Sequence, residues 1–159
     1  MNGTKARMEE IRKYIVRHQD IADLGIGRGQ YYARIDFNNV TGVDLDGDNI
    51  ERIKRDFPKI NMVRADVRET GLPDKSYDLV VISQVLEHFE DYQPILKEAK
   101  RICQNDGYFL IGTPIEMYEE KHFHPVWKFE DVKALGNLMG EIVEMKKLEN
   151  SWLIYIKNA

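Results

Sequence analysis

Apolar residues fall into two rhythms along this chain. In the first, unbroken runs of aliphatic and β-branched side chains are bounded by turn residues: Ile21 to Leu24, Val40 to Leu45, Ile60 to Ala65, Tyr77 to Ser83 and Tyr108 to Gly112. Runs of this kind suit strands buried on both faces, as in a parallel sheet. In the second, apolar positions recur every three or four residues among charges: Met8, Ile11, Ile15 and Val16 within Thr4 to His18, then Ile95, Ala99 and Ile102 within Asp91 to Gln104. Those are amphipathic helices. Strand runs alternating with helical stretches predict an α/β domain.

Punctuation residues sharpen the boundaries. A helix is expected from about Gln30 to Asp36, with a turn at Asn38-Asn39. Asp46 reads as the cap of the next helix, whose first turn holds Asp48 and Glu51 at the positive end of its dipole and which Pro58 closes. Asn105-Asp106-Gly107 ends the helix that carries Cys103, and Gly140 ends a last helix over Phe129 to Met139. Glu141 to Leu148 and Ser151 to Lys157 then read as an antiparallel hairpin turning at Glu149-Asn150. The helix over Thr4 to His18 has two readings: packing at the sheet edge, or a lid, since it leads straight into the first strand.

At 159 residues the chain is one domain, with residues 1–18 as an N-terminal helix and 20–159 as the core. With 43% hydrophobic and 31% charged residues it has a globular composition. No apolar run approaches membrane-spanning length, and Met1 to Arg17 lacks the continuous apolar region of a secretory signal. The single cysteine, Cys103, excludes an internal disulfide and fits a reducing, cytoplasmic setting. A net charge of -4 gives no global attraction to nucleic acid, although a local basic patch stays open.

One stretch carries the chemistry. In Asp20 to Gln30 an apolar strand ends in glycines at alternate positions, Gly25, Gly27 and Gly29, and runs on into the expected helix. Strand, glycine turn and helix start together cradle a nucleotide-like ligand. The dinucleotide fingerprint G-x-G-x-x-G would need glycine at Gln30, so the spacing departs from it. Asp44 ends the second run about twenty residues past the start of the turn, where an acidic side chain accepts hydrogen bonds from both ribose hydroxyls.

Asp23, Gly25, Gly27 and Gly29 form a D-x-G-x-G-x-G pattern that resembles motif I of the class I S-adenosylmethionine (SAM)-dependent methyltransferases. Two further stretches are similar to the same family. Between Arg64 and Asp78, an acidic residue after the third strand is followed by Leu72-Pro73 and then by Tyr77-Asp78, which opens the fourth. Ser83-Gln84-Val85-Leu86-Glu87-His88 matches the S-x-V-L-E-H version of motif IV. The resemblance covers about Asp20 to Asn158. It implies a three-layer αβα, Rossmann-like sheet in the order 3-2-1-4-5-7-6 with strand seven antiparallel. It also implies SAM as cofactor, S-adenosylhomocysteine (SAH) as product, and in-line methyl transfer.

On that resemblance the cofactor-binding residues are Asp23, Gly25, Gly27, Gly29, Asp44, Leu45, Asp66, Val67, Ser83 and Gln84. Asp23 organises the turn or reaches the methionine amine. Asp66 faces the adenine amino group, with the N–H of Val67 toward a ring nitrogen. Ser83 and Gln84 line the crevice beyond the fourth strand. A general base is needed only where the acceptor keeps a proton, as a hydroxyl does. The candidates are His88, His122 and His124, with His88 best placed because it follows strand four. The segment Ile115 to Lys128 is expected to overhang the acceptor side, making His122, His124 and Trp127 substrate-side candidates; loop packing is the competing reading.

The expected acceptor is a small molecule, with no membrane, no resident metal and nucleic acid disfavoured; a homodimer or a partner subunit stays open. Three other readings share part of this pattern. A SAM-binding subunit or regulator without activity would share every cofactor motif. A small-RNA 3′-end 2′-O-methyltransferase would carry an E-x-x-E-H metal site, but its first ligand is Gln84 here. A nicotinamide dehydrogenase is disfavoured by Gln30 and by the lack of a substrate domain.

Overall fold

The buried runs do become strands. The computed structural model describes residues 3–115, 123–124 and 126–159. The elements are α1 (Gly3–Ile15), β1 (Asp20–Leu24), β2 (Asn39–Asp44), α2 (Gly47–Asp56), β3 (Asn61–Arg64), β4 (Tyr77–Ser83), α3 (Gln93–Ile102), β5 (Cys103–Pro114), α4 (Phe129–Met139), β6 (Glu141–Lys147) and β7 (Ser151–Lys157). Single 3-10 turns lie at Gln30–Tyr32 and Leu86–His88. The sheet runs β3-β2-β1-β4-β5-β7-β6. Strands β1 to β5 are parallel, and β7 lies antiparallel between β5 and β6, as the family resemblance implies. Strand order reverses between β1 and β4, which opens a crevice at the carboxyl ends of those two strands.

The two faces of the sheet build two cores. On one, Leu24, Val43, Val80, Ile82, Ile111 and Ile154 meet Ile95 and Ile102 of α3 and Leu135 and Met139 of α4. On the other, Ile21, Val40, Leu79, Val81 and Leu110 meet Ile11 and Ile15 of α1 and Ile53 of α2. Ile11 and Ile15 are fully buried. At roughly 1.5–3 kcal/mol for each buried side chain, α1 is fixed in the core along its second half rather than loosely laid on. Beyond its end, the His18 imidazole sits 3.3 Å from Asp78 Oδ2 and 3.0 Å from the Tyr155 hydroxyl, tying the entry to β1 into the sheet.

Three expectations are corrected. The helix expected over Gln30 to Asp36 is a single 3-10 turn, after which Ala33 is extended. Helix α1 fills its place: Arg12 donates through Nε to the Tyr31 carbonyl (3.0 Å) and through Nη2 to the Gln30 carbonyl (3.2 Å). The carbonyls of a would-be helix are thereby satisfied from outside, and the face it would have covered is already occupied. Strand five begins at Cys103 rather than Tyr108, because the Asn105-Asp106-Gly107 turn is taken up as an irregularity in register between β4 and β5. Cys103 therefore caps α3 and opens β5 instead of sitting within the helix. The cap at Asp46 is as expected, with its Oδ1 accepting from the amides of Asp48 and Asn49.

Candidate functional site

The glycine turn separates packing from access. Gly25, Gly27 and Gly29 all take positive φ, at 72°, 57° and 60°, a region L side chains enter only with strain. A Cβ on Gly25 would lie 2.7 Å from Val85 Cγ2, and one on Gly29 would lie 2.5 Å from Ile53 Cδ1. A Cβ on Gly27 would meet nothing within 4 Å. The outer glycines let the turn close against its neighbours, and the middle one faces open space.

That space is two hollows sharing a wall. One, of about 310 Å³, is lined by Asp44, Leu45, Asp66, Val67, His88 and Phe89. The other, of about 270 Å³, is lined by Thr4, Arg7 and Met8 of α1 together with Arg28, Tyr31 and Ser83. Gly25, Gly27 and Gln84 line both. The first residues of α1 thus line the second hollow while its later residues are held in the core.

The carboxylates around these hollows differ in how they are held. Asp44 accepts from the Gly27 amide (2.9 Å), the Asp46 amide (2.9 Å) and Asn49 Nδ2 (3.4 Å), which locks the glycine turn to the end of β2. Asp66 is clamped by Arg68, whose main-chain amide and Nε reach one oxygen (2.8 and 3.0 Å) and whose Nη2 reaches the other (2.6 Å). The side-chain hydrogen bonds from Arg68 hold that carboxyl below the usual range, and the guanidinium lies 5.3 Å from the centre of the Phe89 ring. Asp23 is wholly buried on β1 and accepts from the hydroxyls of Tyr31 (2.6 Å) and Tyr32 (2.9 Å). Burial pushes its carboxyl up to about 7 against the pull of those two hydroxyls, with Asp44 adding to the rise. Its second oxygen, Oδ1, has no partner among the described residues.

Unpartnered buried polar atoms are otherwise concentrated at one place. Among the described residues they are Gln84 Nε2, Glu87 Oε2, Thr113 Oγ1, Trp127 Nε1, Asn150 Oδ1 and Ser151 Oγ. Gln84 follows β4, Glu87 is one turn further, Thr113 is near the end of β5, and Asn150 and Ser151 sit where antiparallel β7 begins. All but Trp127 lie at or just past the carboxyl ends of β4 and β5. Gln84 is also held at φ 57°, a strained setting for a residue with a Cβ, of the kind that clusters at ligand sites. Glu87 is 1% exposed. Burial raises its carboxyl to about 7, only partly opposed by a hydrogen bond from its own main chain and, less, by the field of Arg7.

The histidines and Trp127 separate. His88 is exposed and lines the hollow of Asp44, Asp66 and Phe89, not the one under α1. His124 and Trp127 were expected to overhang the acceptor side; they line a third, smaller hollow with Tyr92, Val126 and Asp131. The physical reason is aromatic packing: Trp127 is 4% exposed and sits 5.4 Å from the Tyr92 ring, while His124 Nε2 lies 3.0 Å from the Glu90 carbonyl. His122 falls outside the described residues. No cluster of three His, Cys, Asp or Glu side chains forms a metal site among the described residues, and none of the described helices is long and apolar enough to cross a membrane. Sequence reasoning missed Arg7, the Tyr31 and Tyr32 hydroxyls on Asp23, and Thr113. It met Glu87 within the motif IV stretch, as the neighbour of His88 and in the disfavoured E-x-x-E-H metal-site reading. The signal for the tyrosines was present: two phenols directly after a glycine turn that is preceded by an acid.

Comparison with known proteins agrees with this geometry. A sequence profile of the methyltransferase domain matches residues 22–111. A probable SAM-dependent methyltransferase of Mycobacterium tuberculosis is 30% identical over 98 residues, covering 60% of this chain and 36% of that protein. The chain thus spans little more than a third of that relative's length. The N-methyltransferase NodS of Bradyrhizobium japonicum superposes with a TM-score of 0.82 at 14% identity, over 98% of this chain and 96% of that one. A 1,6-didemethyltoxoflavin N1-methyltransferase of Burkholderia thailandensis, solved with its substrate and SAH, superposes with a TM-score of 0.79 at 15% identity, over 99% and 79%. These structures share the fold. On the match that covers more than half of its length, the chain belongs to the methyltransferase domain family.

Proposed function

We propose that this domain binds SAM across the glycine turn and transfers its methyl group to a small-molecule acceptor. The observation that carries the reading is the pair of hollows meeting at Gly25, Gly27 and Gln84, with Asp44 at one end and the half-satisfied Asp23 behind Tyr31 at the other. The donor set fits the cofactor part by part. On this reading Asp44 takes the ribose hydroxyls, Leu45 and Val67 the faces of the adenine ring, and Asp66 its amino group. Asp23 Oδ1 is an acceptor in search of a cation, which the methionine ammonium supplies. Gln84 lines both hollows and Ser83 the one under α1, and on this reading the two face the transferable group.

When bound, the cofactor supplies an electrophilic methyl on a sulfonium, so the chain's own residues have little bond chemistry to add. They hold the two reactants in line and exclude water, and ordering of this kind supplies roughly 7–11 kcal/mol in favourable cases. His88 remains a candidate proton acceptor on the adenosine side. The short cover over the second hollow and the net charge of -4 support a small acceptor over a nucleic acid, as do the names of structural neighbours such as the toxoflavin-precursor enzyme. Titration calorimetry with SAH, with NAD as the control, tests the reading. Saturable heat with SAH alone is the expected result. Absence of heat with SAH, or equal binding of NAD, overturns it.

A further inference from the structure

Two guanidiniums line the hollow under α1, and none of its described lining residues is an acid. The charged members of the wall are Arg7 of α1 and Arg28 of the glycine turn. Asp23 stands behind Tyr31 rather than in the wall itself. In a chain with more acids than bases, such a wall is a setting for an anion. A glycine turn ordinarily offers its amides to one. Here they are already spent. The amides of Gly25 and Ile26 donate to the Val43 carbonyl (2.8 and 3.2 Å), that of Gly29 to the Ile26 carbonyl (3.1 Å) and that of Gly27 to Asp44 Oδ2 (2.9 Å). The 3-10 turn that follows has three residues, too few to build a useful dipole. Side chains are left to do what amides do in other glycine turns.

Arg7 is held where it can act. Arg12 donates to the Tyr31 and Gln30 carbonyls, and Ile11 and Ile15 are fully buried, so α1 is pinned across the turn with its first residues against the hollow. Burial pushes the Tyr31 hydroxyl well above its ordinary range, and the field of Arg7 pulls against it, which agrees with a guanidinium beside the same wall. Arg28 is exposed, and no ion pair among the described residues engages it. A guanidinium carries several N–H donors in a planar fork that matches a carboxylate. Arg7 can therefore take a ligand carboxylate alongside the contacts it already makes.

Resting on the methyltransferase reading above, we infer that Arg7 and Arg28 hold the carboxylate of the cofactor's methionine end, and that α1 is thereby part of the cofactor site. The methionine carries its ammonium and its carboxylate on one carbon, so an ammonium directed at Asp23 brings the carboxylate into the same hollow. The two guanidiniums then select a cofactor with a complete amino acid over one that lacks the acid group. Anchored at this end and at Asp44, the sulfonium comes to lie where the hollows meet, beside Gln84. The cofactor in turn fastens α1: Arg12 ties its inner half to the glycine turn, and the ligand ties its outer half.

The test uses the full chain and three ligands in calorimetry: SAH, its decarboxylated analogue, which keeps the amine, and 5′-methylthioadenosine, which lacks the amino-acid end. The wild-type protein is expected to prefer SAH over the decarboxylated analogue by about tenfold or more. Arg7→Met should remove most of that preference, weakening SAH by about tenfold or more and the other two ligands by less than about twofold. Arg7→Lys should recover part of the loss, and Arg28→Met should cost about threefold, because its side chain is exposed. Amide exchange along Arg7 to Glu10 should slow by about fivefold or more under saturating SAH and stay level under saturating 5′-methylthioadenosine. A wild-type protein that binds SAH and the decarboxylated analogue equally overturns the inference without any variant. So does slowed exchange under 5′-methylthioadenosine, or an Arg7→Met protein that loses all three ligands alike. Undiminished SAH affinity in Arg7→Met also overturns it, and would hand the guanidinium to an acidic acceptor. Failure of the wild-type protein to bind any of the three would instead bring down the parent reading.

Discussion

Asp44 and Asp66, at the ends of β2 and β3, have both oxygens engaged by nearby donors. At the ends of β4 and β5, Gln84, Glu87 and Thr113 each bury a polar atom without a partner among the described residues. The first half of the crevice is set before any ligand arrives; the second is left incomplete. Partners on the first side come from within a few residues, apart from Gly27: Asp46 and Asn49 for Asp44, Arg68 for Asp66. On the second side the unpartnered atoms come from β4, the turn after it, β5 and the start of β7, brought together by the sheet alone. Preorganisation lowers the cost of binding the part of the ligand common to the family.

The sharpest way to break this comparison is Asp44→Ala. If the carboxylate accepts from two ribose hydroxyls, each bond to a charged acceptor is worth roughly 1.5–3 kcal/mol. SAH affinity should then fall by about two to four powers of ten in calorimetry, while circular dichroism stays native. A loss smaller than tenfold would mean that the ordered carboxylate serves the glycine turn rather than the ligand.

The glycines offer a paired test of somewhat smaller effect. Gly25→Ala forces a methyl to 2.7 Å from Val85 at a φ of 72°, so thermal stability should drop, by about 2 kcal/mol or more once the clash joins the backbone strain of roughly 1–2 kcal/mol. Gly27→Ala carries similar backbone strain but meets nothing within 4 Å. Its melting temperature should fall less, while SAH affinity falls by tenfold or more because the added methyl projects into the hollow. If both variants lose stability and affinity in step, the division between packing and access is wrong.

How much was readable beforehand follows the same divide. The strands were legible because each is a continuous apolar run, and the lining of the first hollow because it is written in short segments: the glycine turn, the acid ending β2, the acid after β3. The helix expected after Gly29 was misread because nothing in Gln30 to Asp36 announces that Arg12, eighteen and nineteen positions away, takes the Gln30 and Tyr31 carbonyls. Trp127 was misread for the opposite reason. An aromatic in a segment after a strand end suggests a ligand wall, yet its ring is drawn into the core beside Tyr92. The unpartnered atoms of Glu87 and Thr113 could not be read, since a missing partner is a property of three-dimensional packing.

Asp23 is engaged by two tyrosines and yet half open, and it gives a pH test. Its carboxyl sits at about 7 when folded, against a model-compound value of 3.8. Between those values the folded protein holds a proton that the unfolded chain has released. The stability linked to this group is therefore complete below about pH 4 and is lost as pH rises to about 7, with a slope of at most roughly 1.4 kcal/mol per pH unit. Urea unfolding from pH 5 to 8 should show that decline, and Asp23→Asn should flatten it. SAH affinity is expected to move the other way. Pairing with the methionine ammonium needs the ionised carboxylate, so affinity should climb by up to tenfold per pH unit until about 7. Parallel trends in stability and affinity would remove Asp23 from the ligand's ammonium.

The smallest effect concerns Arg68. Its exposed pair with Asp66 is of the kind worth about 0–1 kcal/mol. The adenine amino group must share that carboxylate with the guanidinium. Arg68→Met keeps a long side chain over Phe89 and frees the Asp66 oxygen held by Nη2, leaving the other on the main-chain amide of residue 68. SAH affinity should then stay level or rise by up to about threefold, and the Asp66 carboxyl should return toward its ordinary range, read by carbon-13 NMR. A fall of tenfold would mean that the guanidinium itself holds the ligand. The prior pairing at the end of β3 would then be a binding group in its own right rather than a brace, and the contrast between the two sides of the crevice would narrow to Asp44 alone.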